Sequence, residues 1–103
     1  MTVTAVQTGQ VDVGELFTTD PNIAVNNFVL LDDDKHLQLA DNIAPVIRTQ
    51  ILNQAPDIKA LLNSVSAKLT TDDLIAMNKS VSIDHMDPKD VAAAFLKSQG
   101  LTH

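Results

Sequence analysis

Only two stretches of this chain carry the pattern of a β-strand, and both fall early in its 103 residues. The first, Val11 to Phe17, opens with apolar alternation at Val11 and Val13. The second, Asn27 to Leu31, is a short continuous apolar run of the kind buried on both faces of a sheet. Three aspartates, Asp32 to Asp34, then end it. Two strands do not make a stable sheet in water. A chain of this design therefore predicts either further strands from outside it or pairing between two copies.

The rest of the sequence reads as helix. Thr2 to Thr8 is a candidate helix end with Gly9 as its stop. Thr18 to Asn22 is a turn-forming loop in which Pro21 offers no ladder donor. After Asp41 the pattern predicts continuous helix, with Pro45 in a first turn and Ile47 and Ile51 on one face. Pro56 separates this from a second helix, in which Ile58, Leu61, Leu62, Val65 and Leu69 repeat at helical spacing. Thr70 or Thr71 caps a third, with Asp72 and Asp73 in its positive first turn and Leu74, Met77 and Val81 on its inner face. Asp87-Pro88 opens a fourth, with Val91, Ala92, Phe95 and Leu96 inward, Lys97 near its end and Gly100 as its stop. The reading is α/β: two strands plus about four helices.

Composition narrows the function. Seven basic and thirteen acidic residues leave a net charge of −6, which repels phosphate backbones and argues against a nucleic-acid partner. The absence of cysteine excludes disulfides and thiolate metal sites. No segment has the length of a membrane span, and the N-terminus lacks the basic and apolar regions of a signal peptide. The Asp32-Asp33-Asp34 cluster lacks the turn glycine and the bidentate glutamate of a calcium loop, so a solvated strand end is the better reading. His36, His85 and His103 share no ligand spacing. The serines and threonines have no nucleophile elbow around them, and Gly9, Gly14 and Gly100 form no phosphate-cradling loop. Nothing here supports catalysis, a metal or a cofactor.

Five pieces in order carry more. They are Phe17-Thr18-Thr19-Asp20, the strand end Val29 to His36, Asn42-Ile43-Ala44-Pro45-Val46-Ile47-Arg48, Leu69 to Leu74, and Asp87 to Ala92 leading to Gly100-Leu101. In order and spacing they resemble the C-terminal part of the substrate-binding proteins of ABC importers for glycine betaine, choline and related quaternary ammonium solutes. The resemblance covers nearly the whole chain. It implies a parent with two α/β lobes of the type II periplasmic-binding-protein-like fold, closing on solute like a hinge. Residues 1–22 are expected to end the second lobe, and residues 23–103 to form the C-terminal part of the first. The chain is expected to be a piece of a longer protein that works outside the cytoplasm, in the periplasm or membrane-associated at the cell surface. As a piece it is expected to self-associate.

The resemblance also implies a site. In the relatives an aromatic cage from both lobes surrounds the ammonium head, because ring faces attract a bulky, weakly hydrated cation. One cage position corresponds to Phe17, beside Thr18 and Thr19. Another corresponds to Asp41, so that a carboxylate stands where relatives keep a ring. Phe17 is open to two readings, core packing or a ring against the solute. Asp41 is likewise either a helix-start residue near the dipole or a ligand contact. The implied partners are a small cationic or zwitterionic solute and an ABC permease. The alternative, from a different class, is a small acidic helical module that binds a protein.

Overall fold

A computed structural model of the protein describes residues 1–39 and 41–102. Six helices are found among them: α1 Thr2–Gln7, α2 Asn22–Val25, α3 Thr49–Gln54, α4 Asp57–Ser66, α5 Thr71–Ser82 and α6 Pro88–Ser98. The described residues contain no strand. The expectation of two strands is therefore corrected: Val11 to Phe17 and Asn27 to Leu31 run without a ladder. The physical reason is the one that made them informative. A strand is held by its neighbours, and the described residues supply none. Val29, Leu30 and Leu31 are left 83%, 60% and 69% exposed.

Helix ends follow the local chemistry closely. Gly9 and Gly100 both adopt φ of +69°, the left-handed conformation that glycine enters without penalty. Each closes a Schellman motif. Gln10 N–H donates to the Ala5 carbonyl and Gly9 N–H to that of Val6, while Leu101 and Gly100 donate to Leu96 and Lys97. Pro56 occupies the N-cap of α4 and Asp87 accepts from Lys89 N–H at the start of α6 (2.8 Å). The helix expected from Asp41 onward is shorter than its pattern: α3 begins only at Thr49, after an extended Arg48. Proline disfavours helix at the residue before it, here Ala44, and no side chain caps a start further upstream.

The chain forms two compact units. The first comprises Met1–Asp32 and Thr70–Ala92. In it, a Cβ on Gly14 would lie 2.5 Å from Thr2 Cγ2 and 3.1 Å from Val6 Cγ2, so the segment after α1 packs back on that helix where it has no side chain. Val91, 8% exposed, is the buried hydrophobic residue of this unit, and Pro21 is buried with it. Leu74, Met77 and Val81 are half-buried along α5. The second unit comprises Asp33–Leu69 and Ala93–His103, His103 itself lying outside the described residues. There α3 packs on α4, and Ile58, Leu62 and Val65 are half-buried while Leu61 is 60% exposed.

The start of α5 is a capping box. Asp73 N–H donates to Thr70 Oγ1 (3.2 Å), and Asp73 Oδ2 accepts from Thr70 Oγ1 (2.6 Å) and Thr70 N–H (3.0 Å). The Thr70 hydroxyl, then its amide, hold the Asp73 carboxyl below its ordinary value of 3.8. A depressed carboxylate stabilises the fold above its unfolded pKa and loses that contribution as pH falls through the folded value. Thr70→Ala is therefore expected to lower stability by about 1 kcal/mol near neutrality through loss of the cap, and by less at pH 3. Urea melts followed by circular dichroism at both pH values test this; an equal loss at both contradicts it.

Candidate functional site

The Phe17–Asp20 segment is a tight turn, closed by Asp20 N–H donating to the Phe17 carbonyl at 2.9 Å. Asp20 then starts α2. Its Oδ1 accepts from the backbone N–H and the side-chain amide of Asn22, both at 2.9 Å. The turn is tied to α5 by Asn78, whose Nδ2 donates to the Thr19 carbonyl at 3.0 Å. Ser82 Oγ in turn donates to the Asn78 carbonyl at 2.6 Å.

Between this turn and α5 lies a shallow cavity of about 340 Å³, largely open to solvent, at the lower end of the roughly 300–1,000 Å³ of small-molecule sites. Phe17, Thr19 and Asp20 line one side and Asn78, Val81 and Ser82 the other, with Pro21 and Asn22 between. Its one formal charge is the Asp20 carboxylate, and no cationic side chain lines it.

The four expected site residues fare differently. Phe17 and Thr19 come together at the cavity. Thr18 is in the same turn and exposed, outside the lining. Asp41 is in the second compact unit, exposed and in no helix. Phe17 itself is 77% exposed, so core packing is not its role within this chain. Sequence reasoning missed Asp20 and Asn78. For Asp20 a signal existed: Asp20-Pro21 is the same helix-opening dipeptide as Asp87-Pro88. For Asn78 none did, because its partner is 59 residues away.

The aspartate cluster turns inward on its own loop. Asp33 Oδ2 accepts from Gln38 N–H at 2.8 Å, and the amides of Gln38 and Leu37 hold its carboxyl below the usual range. Asp34 pairs with Lys35 at 3.5 Å, with both side chains exposed. Among the described residues, no three histidine or carboxylate side chains gather as metal ligands.

Residues 1–98 match the family described as the substrate-binding domain of the ABC-type glycine betaine transport system. The glycine betaine-binding protein YehZ of Escherichia coli K12 is 33% identical over 98 residues, covering 95% of this chain and 32% of YehZ. The carnitine transport binding protein OpuCC of Listeria monocytogenes (strain 10403S) is 29% identical over 94 residues, covering 91% and 30%. The ergothioneine transport permease/ergothioneine binding protein EgtU of Helicobacter pylori G27 is 30% identical over 87 residues, covering 84% and 16%. The chain spans about a third of the length of the first two of these relatives. No solved structure matches it. A match over residues 1–98 of 103 settles the family: the chain belongs to the substrate-binding domains of ABC-type glycine betaine transport systems.

Proposed function

We propose that the full-length product carrying this chain captures a small cationic or zwitterionic solute and delivers it to an ABC permease. The observation that carries this reading is Phe17, an exposed ring on a tethered turn at the mouth of a solute-sized cavity, in a chain of this family. An exposed aromatic face is suited to a methylated ammonium head. Thr18 and Thr19 flank it as further contacts. Asp41 is a further proposed contact in the full-length product, its carboxylate favouring cations and repelling an acid group. The names of the relatives, glycine betaine and carnitine binding proteins, point to the same solute class.

The parent has two lobes of the type II periplasmic-binding-protein-like fold. Residues 1–22 end the second lobe and 23–103 belong to the first. The lobes are defined by the whole protein and cut across the two compact units of this chain. The product works outside the cytoplasm, at the face where the permease takes up its solute. The 103-residue chain by itself self-associates, because Val29 to Leu31 expose an apolar run that a neighbouring strand or copy would cover.

Calorimetry on the full-length product tests the solute reading. Choline is expected to bind more tightly than glycine betaine, and Asp41→Tyr to narrow that preference at least several-fold. If Asp41→Tyr leaves the affinity for both unchanged, Asp41 is not a ligand contact. If neither solute binds, the solute class is wrong.

A further inference from the structure

The geometry points to Asp20 as the anionic half of the Phe17 cavity, and to an alkylammonium cation without an acid group as its preferred solute. This rests on reading that cavity as the solute site. Phe17 and Asp20 are the first and last residues of one turn, which brings their Cα atoms within about 7 Å. Both line the same cavity. Asp20 spends one oxygen on Asn22, with both bonds at 2.9 Å going to Oδ1. Its Oδ2 accepts no hydrogen bond among the described residues. The amides of Asn22 therefore fix the carboxylate from one side and leave its other oxygen uncommitted.

The opposite wall offers no competing cation. Val81 is apolar, the Ser82 hydroxyl is donated to the Asn78 carbonyl, and the Asn78 amide N–H is donated to Thr19. With one Nδ2 hydrogen so engaged, Asn78 keeps the other as a donor and Oδ1 as an acceptor. The one formal charge left beside the ring face is thus negative, although the Thr19 hydroxyl and the second Asn78 amide hydrogen can still donate. That set attracts a cation through charge and quadrupole together. It rejects an anion, and it gives a zwitterion less than a cation, because a carboxylate carried by the solute meets that of Asp20.

Asp20→Asn separates charge from structure, since an asparagine oxygen can still accept from Asn22 N–H. Calorimetry with choline chloride and glycine betaine on the full-length product, wild type and D20N, is the test. D20N is expected to weaken choline about tenfold, to change glycine betaine less than about threefold, and to reduce the salt dependence of choline binding. Amide exchange at Asn22 should stay slow in D20N. Wild-type binding with choline affinity unchanged in D20N overturns the role of Asp20 and leaves the Phe17 site standing. An equal loss for both solutes, or fast exchange at Asn22, assigns Asp20 to structure alone and overturns it too. A wild type that binds neither solute overturns the site and this inference with it.

Discussion

At micromolar concentration the 103-residue chain is expected to sediment as a dimer or larger species, and Leu30→Lys to return it to monomer. Val29, Leu30 and Leu31 are 83%, 60% and 69% exposed, three consecutive large side chains with no cover. Burying one leucine contributes about 1.5–3 kcal/mol. In a symmetric pair each substitution counts twice, so the loss is roughly 3–6 kcal/mol, or a factor of about 10² to 10⁴ in the association constant. Lysine also blunts a strand edge by requiring its ammonium to stay in water. Analytical ultracentrifugation reads the outcome directly. A monodisperse wild-type monomer would show that the exposed run is tolerated and that self-association is wrong.

The second large effect is at the site. Phe17→Ala in the full-length product is expected to weaken choline about tenfold, within the roughly 0.5–2 kcal/mol of a ring–cation contact. Its melting temperature should barely move, because a ring 77% exposed contributes little packing within this chain. Phe17→Tyr should restore binding, since either ring offers a π face. The pairing of lost affinity with unchanged stability is what separates a ligand contact from a structural one. Unchanged affinity in the alanine variant would remove Phe17 from the site.

What the sequence made legible was what short range decides. The glycine stops at Gly9 and Gly100, the Thr70 cap with its acidic first turn, and the Asp87-Pro88 start are each settled within about six residues, and each is found. The two expected strands are absent among the described residues for the opposite reason. Alternation at Val11 and Val13 and the run ending at Leu31 describe a surface that suits a sheet, but the ladder depends on partners that are not found among the described residues. The helix expected from Asp41 failed locally, since apolar spacing outran the proline that holds Ala44 out of helix. At the candidate cavity, the motif drew attention to Phe17, which lines it, and the dipeptide that also opens α6 could have done so for Asp20. Asn78 was not legible, because nothing in a helix-face asparagine announces a carbonyl 59 positions upstream.

That tether has a topological consequence. The cavity belongs to a unit built from two separate pieces of chain, Met1–Asp32 and Thr70–Ala92. Residues 33–69 therefore act as a covalent leash that sets how often the Phe17 turn meets α5. The covalent link makes that meeting intramolecular, at an effective concentration set by the length and stiffness of the intervening chain. Lengthening it costs little, about 0.6 kcal/mol per doubling. Cutting it costs the whole advantage. A single protease nick in that interval would leave the two pieces joined by noncovalent contacts alone, and formation of the cavity would then depend on dilution.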